Sequence, residues 1–190
     1  MLRRPRHLCI RSSSSTISND KIKKIWASIL AREIEQPNHI SISLLHSLSM
    51  FGKTQAISFC NISRFALQDY QNYEPHAFIY VTTNRVQYAN SEISPSSLKE
   101  MERLGLIECN FENEYVFLNK KVFTIGNKII NVYGNPENDN KIKVGNVTFT
   151  NDGKILYSII DDQYKRYSPE ILDFIIIKLI KRGCKVTINK

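Results

Sequence analysis

Residues 26–59, WASILAREIEQPNHISISLLHSLSMFGKTQAISF, alternate short apolar stripes with helix breakers, and that alternation leaves few ways to fold. Ile22, Ile25, Trp26, Ile29 and Leu30 recur at i, i+3, i+4, i+7 and i+8, so one face of a helix is apolar, while Lys23, Lys24 and Arg32 take the other. Ser18, Asn19 and Asp20 supply cap candidates, and Pro37 ends the helix because it has no N–H to donate. Ser41 caps a second helix holding Ile42, Leu45 and Leu48, which stops near Phe51 and Gly52. A third is expected over residues 53–70, burying Ala56, Ile57, Phe59, Cys60, Phe65 and Leu67. Connections this short make consecutive helices pack on one another.

Downstream the period changes. Residues 78–82, FIYVT, read as a short strand after Pro75. Ser94 at the N-cap, Pro95 at the first helical position and Gly105 past the end frame a helix of about ten residues. LIECN and YVFLN follow it, and this order of elements over residues 94–118 matches a winged-helix unit. Residues 121–133 and 141–150 read as β-hairpins turning at Gly126-Asn127 and Gly145-Asn146. Thr150, Asn151 or Asp152 caps a helix carrying Ile155, Leu156, Ile159 and Ile160. The last helix opens at Ser168-Pro169-Glu170 and is apolar nearly all round, through Ile171, Leu172, Phe174, Ile175, Ile176, Ile177, Leu179 and Ile180. Residues 184–188 add a terminal strand. The expected class is α+β: a helical N-terminal half, a central winged-helix-like unit, β-hairpins and a closing apolar helix. The expected organisation is a flexible basic tail over residues 1–18 and a single domain over 19–190, with a helical part at 19–72, a winged-helix-like and hairpin part at 76–150 and C-terminal helices at 151–190.

A hydrophobic fraction of 42% in 190 residues is enough for a core without staples. The net charge of +8 is concentrated at the ends. Arg3, Arg4, Arg6, Arg11, Lys21, Lys23 and Lys24 face only Asp20 before residue 25, and seven basic residues face four acids after residue 160, so the middle is close to neutral. The first eighteen residues are rich in Arg and Ser and lack an apolar segment, so they do not read as a secretory signal. They suit a solvated tail, the stub of a longer parent or, in a eukaryotic source, a transit peptide. Cys9, Cys60, Cys109 and Cys184 lie tens of residues apart without a CxxC pair and are expected as incidental or buried thiols in a reducing compartment. No stretch approaches the eighteen or so apolar residues of a membrane span.

Trp26, Ala27, Leu30, Ala31, Glu33, Ile34 and Pro37, followed by Ser41, Leu45, Leu48, Ala56 and Phe59, resemble without a gap the pattern of the bacterial family called domain of unknown function 2806. Leu104 to Ile107, LGLI, and a helix start at Thr150, Gly153, Leu156 and Ile159 extend the likeness over about residues 20–160. The chain departs from that pattern where Asn38 replaces a Gly and Ser43-Leu44 an Arg-Thr pair, so any role of that Arg is missing here. The helical segments are also similar to abortive-infection alpha-type proteins, which implies a setting in phage or mobile-element defence and a bacterial cytoplasmic location.

Ser96, Ser97, Lys99, Arg103, Lys120 and Lys121 could contact nucleic acid in a winged-helix reading, but Glu100, Glu102, Glu108, Glu112 and Glu114 surround them and would repel phosphate. His7, His39, His46 and His76 have no metal-ligand spacing, and Glu33 with Glu35 or Asp161 with Asp162 are too close in sequence to face each other on a helix. No GxSxG motif or glycine-rich phosphate loop is present. No catalytic, metal or cofactor residue is therefore expected. Trp26, the one tryptophan, is expected as a core anchor. The expectation is a non-enzymatic interaction or regulatory module with a protein partner or a second copy bound through the helix running from Ile171 to Ile180 or through the N-terminal helices. The alternative is a winged-helix-like DNA-binding regulator.

Overall fold

The computed structural model describes residues 19–37, 40–79, 81–82, 85–86, 93–160 and 169–189. The basic tail over residues 1–18, His39, Asp161 with Asp162, and the Ser168 cap lie outside them.

Three helices open the chain, α1 (Asn19–Glu35), α2 (Ile42–Ser49) and α3 (Lys53–Ser63). The apolar stripe of α1 buries Ile25 and Ile29, and Trp26 is half-buried at its margin, so it seals the core rather than anchoring it. Glu33 reaches past Pro37 to accept the Ile40 N–H at 3.0 Å. The Ser41 hydroxyl accepts from the Leu44 N–H at 2.9 Å, capping α2 as expected.

After Ser63 the chain departs from the expected third helix, since Ala66–Asp69 is strand β1. Ala, Leu and Gln favour helices intrinsically, but here their backbone groups bond strands on both sides and tertiary pairing overrides propensity. The next strand, β2 (Pro75–Ala77), begins three residues before the expected FIYVT segment. Pro is tolerated at its first position, where a ladder donor is least missed. Two residues each of β3 (Val81–Thr82) and β4 (Arg85–Val86) pair with one another.

Helix α4 (Pro95–Arg103) has the predicted Ser94 cap, and the capping is reciprocal: Ser97 N–H donates to the Ser94 hydroxyl at 3.1 Å, and Ser94 N–H to the Ser97 hydroxyl at 2.9 Å. It leads through Gly105, at φ +67°, into β5 (Ile107–Cys109) and then β6 (Val116–Leu118). The expected wing does not form, because β5 and β6 are not each other's partners. β5 pairs with β10 (Val147–Phe149), and β6 pairs with β9 (Lys141–Lys143).

The hairpin of β7 (Lys120–Ile125) and β8 (Lys128–Tyr133) is present as predicted, turning at Gly126 and Asn127. The second expected hairpin is not. Gly145, at φ +114°, is the point where the chain leaves the β6–β9 ribbon for the main sheet, and a Cβ there would lie 2.7 Å from the Ile79 carbonyl oxygen. Asn146 N–H donates to that same carbonyl at 3.0 Å, locking the crossing. Helix α5 (Asn151–Ile159) is capped by Thr150, and α6 (Pro169–Lys181) leads to β11 (Lys185–Asn189), which pairs with β8.

The result is an α+β architecture around a seven-stranded antiparallel sheet in the order β11-β8-β7-β1-β2-β10-β5. Alternation along the strands puts Ala66, Ala77, Ile107, Val147 and Phe149 on one face, packed in a core with α1 to α5. Leu67, Phe123, Ile130 and Val132 lie on the opposite face, in a second core with Ile175 and Leu179 of α6 and Ile142 of the ribbon. The sheet itself therefore covers α6. Ile175 and Leu179 are fully buried, while Ile177 and Ile180 stay half-exposed on the far side.

Helix α5 approaches the α4–β5 turn closely at Gly153, where a Cβ would meet the Leu106 carbonyl oxygen at 1.9 Å. Gly153→Ala is expected to lower stability by at least about 1–3 kcal/mol, the usual range for overpacking, while Trp26→Ala costs less than the about 3–5 kcal/mol of a fully buried tryptophan. Urea midpoints of the two variants check both, and a Gly153→Ala midpoint equal to wild type would remove the close approach.

Candidate functional site

The residues singled out as nucleic-acid contacts do not converge. Ser96 and Ser97 belong to the start of α4, where Ser97 serves the cap and Ser96 lies 2.8 Å from the Ser94 hydroxyl. Lys99 is exposed on α4. Arg103, also exposed, is neutralised by Glu100 at 2.9 Å. Three of the five acids around α4 have structural partners: Glu100 also accepts from Gln55 at 3.4 Å, Glu102 accepts the Cys109 N–H at 3.0 Å, and Glu114 takes both guanidinium nitrogens of Arg182. Lys120 and Lys121 are on β7, separated from β5 by β1, β2 and β10. Lys121 turns inward to the buried Asp69 at 2.7 Å, and Lys120 turns outward, 5.3 Å over the Tyr133 ring.

One polar cluster was missed in the sequence. His76 is at the centre of the sheet, in register with Leu67 of β1 and Thr148 of β10, between the rings of Phe117 at 5.1 Å and Tyr115 at 6.2 Å. Its Nδ1 is buried without a hydrogen-bond partner. Burial pushes the imidazole pKa down, opposed by the nearby Glu74 carboxylate. Glu74 is itself held below its usual range by the hydrogen bond from Lys154 at 2.9 Å. A lone His76 gave no spacing signal, because its neighbours come from β1, β6, β10 and the loop before β6. The ring is packed by aromatic and aliphatic groups, and no hydroxyl or thiol nucleophile is hydrogen-bonded to it among the described residues. Burial and the Glu102 carboxylate raise the Cys109 thiol to about 12, and burial raises Cys184, so neither is a ready thiolate at neutral pH. Among the described residues no group of three His, Cys, Asp or Glu side chains is placed to hold a metal, and no helix is long and apolar enough to cross a membrane.

The N-terminal helices present a different surface. Leu30 and Ile34 of α1 and Ile42 and Leu45 of α2 are exposed by 48%, 80%, 86% and 41%. They flank a turn tied to the rest of the molecule by polar contacts: the Ser41 hydroxyl donates to Asp152 at 2.6 Å, and Arg32 to the Ser158 hydroxyl at 2.7 Å, both on α5. The sequence stripe selected the buried side of α1 correctly at Ile25 and Ile29 but counted Leu30 with it. A helix apolar on two sides cannot be assigned its inner side from period alone.

An unfolded chain takes up a proton on His76 at its ordinary value of 6.5, whereas the folded site resists it. Stability that is present above that value is therefore lost as pH falls through it. Urea midpoints at pH 7.5 and 5.5 should show this loss in wild type and a smaller one in His76→Gln; an equal loss in both would place the titration elsewhere.

The residues that carry the family resemblance divide by role in this geometry. Leu48, Ala56 and Phe59 are buried, Glu33 and Ser41 cap the α1–α2 turn, and Leu30, Ile34 and Leu45 are exposed. No curated protein and no solved structure matches the chain, so the likeness to abortive-infection proteins is not shown by these comparisons. A family model described as a protein of unknown function, DUF2806, matches residues 12–171, and the chain belongs to that family.

Proposed function

We propose that this protein is a non-enzymatic interaction or regulatory module, and that another chain or a second copy covers the outer side of α1 and α2. The observation that carries the reading is the exposure of Leu30, Ile34, Ile42 and Leu45 around one tethered turn. Burying a large aliphatic side chain is worth about 1.5–3 kcal/mol, and extended apolar patches on a protein surface mark interaction sites. The far side of α6, with Ile177 and Ile180, is a smaller candidate for the same role, since the sheet already covers the rest of that helix. The Ser41–Asp152 and Arg32–Ser158 contacts support the reading by holding α1 and α2 rigidly, so that a partner meets a preformed surface. A setting in phage or mobile-element defence of a bacterial cytoplasm belongs to the same proposal through the resemblance of the helical segments, and phage plating on a strain lacking the gene tests it.

Light scattering after size exclusion at several concentrations is expected to show concentration-dependent mass, reduced to the monomer by Ile34→Glu with Ile42→Glu. The exposed positions make these substitutions harmless to the fold. A wild-type protein that stays monomeric, and that the double substitution leaves unchanged in retention and melting point, would count against self-association through α1 and α2.

A further inference from the structure

Strands β7, β8 and β11 turn one side to the second core and the other to solvent, and their pairing sets the outer residues in rows. Lys120, Tyr133 and Lys185 form the first row; Val122, Asn131 and Thr187 the second; Thr124, Ile129 and Asn189 the third. The face continues onto β1, where Gln68 is in register with Thr124 and the exposed Tyr70 follows two residues later, its N–H bonded to the Val122 carbonyl. Tyr70 is paired with the exposed Tyr73 ring at 6.5 Å. Asn131 donates to the Asn189 amide oxygen at 3.1 Å, which holds both amides on this face.

Charge separates this surface from the rest of the molecule. The outward rows of β7, β8 and β11 carry Lys120 and Lys185 and not one carboxylate, while Lys121 and Lys128 share the register of the inner face. Asp69 of β1 lies on the opposite face, paired with Lys121. Other acids in the adjoining loops are Glu74 after Tyr73, paired with Lys154 at 2.9 Å, and Glu137 and Asp139 after Tyr133, with Asp139 paired with Lys141 at 2.8 Å. Two lysines alone would make a weak site for a partner bound by charge only. Here they flank a tyrosine, with a second tyrosine, three side-chain amides and two threonine hydroxyls across the same four strands. Rings stack on bases, amides and hydroxyls meet base edges, and ammonium groups meet phosphates. Four strands span about 14 Å at a spacing of ~4.8 Å, wider than the ≈12 Å major groove that admits a helix or a two-stranded ribbon. A flat face of this width fits bases splayed from a single strand rather than a duplex.

We propose that the outer face of β1, β7, β8 and β11 binds single-stranded nucleic acid, with Lys120 and Lys185 on the phosphates and Tyr70 and Tyr133 under the bases. The terminal arginines and the winged-helix order of elements play no part in it.

Fluorescence anisotropy with the full chain tests the proposal, using labelled twelve-nucleotide oligouridylate and oligothymidylate, a duplex of the same length and, by co-sedimentation, phosphatidylserine vesicles. The expected result is single-strand binding that weakens with salt, falls about tenfold or more in Lys120→Glu/Lys185→Glu, and falls about fivefold or more in Tyr70→Leu/Tyr133→Leu with little change in salt slope. The two single-stranded probes tell RNA from DNA. Full-chain Arg3→Gln/Arg4→Gln/Arg6→Gln/Arg11→Gln should retain the tighter binding to single strands, and circular dichroism confirms that each variant is folded. No single-strand binding at low salt, binding lost in the arginine variant, wild-type affinity in both sheet variants, or equal affinity for duplex or vesicles would each overturn the proposal.

Discussion

Strand β1 is paired along both edges and contributes buried side chains to both cores, and the placement of everything else follows from it. Ala66 enters the core shared with α1 to α5, Leu67 the core shared with α6, and Asp69 is fully buried. A carboxylate in that position is tolerable because Lys121 lies 2.7 Å away and the Gln71 N–H donates to it at 3.0 Å. Such a pair adds little net stability over an apolar pair, yet losing one partner would strand a buried charge. The contact joins β1 to β7 on the face that carries Leu67, and a slip of one residue would move Leu67 to the wrong core.

The two cores lie on opposite faces of the sheet and are displaced along it. The helical core covers the β1-β2-β10-β5 end on one side, and α6 with the β6–β9 ribbon covers the other side toward β8 and β11. Gly145 makes this possible by passing the chain under Ile79 between ribbon and sheet, where any Cβ would strike backbone. The paired Arg182 and Glu114 tie the end of α6 to the loop leading into the ribbon. Displaced covering leaves the outer faces of β7, β8 and β11 wet, which is why Tyr133, Asn131 and Thr187 are polar while their neighbours Val132 and Ile130 are apolar.

Two surfaces thus have contrasting chemistry. One is the set of exposed aliphatic residues on α1 and α2; the other is lysine-, tyrosine- and amide-bearing, on the sheet. The buried His76 belongs to neither. Its ring fills space between Phe117, Tyr115 and Leu67, and its depressed basicity follows from desolvation in a packed interior rather than from a reacting partner.

Local signals were legible wherever a few consecutive residues decide the outcome: the Ser41, Ser94 and Thr150 caps, the stop at Pro37, the Gly126-Asn127 turn, and the apolar face of α5. Strand 66–69 was hidden, since its residues prefer a helix and only pairing with β2 and β7 makes them extended. The Gly145-Asn146 segment carried a hairpin signature, but its flanking strands have partners elsewhere: β9 pairs with β6, and β10 fills the gap between β2 and β5. Lys120 stands out in the sequence for its charge, yet its association with Tyr133 and Lys185 joins residues 13 and 65 positions away, which no window along the chain can register. The sequence by itself determined the capped helix starts, the Gly126-Asn127 turn and the α+β class, through capping and periodicity that act within a few residues. Only the tertiary structure decided which strands are neighbours and which apolar faces stay in water, because both depend on long-range pairing whose free energy is shared across the whole sheet.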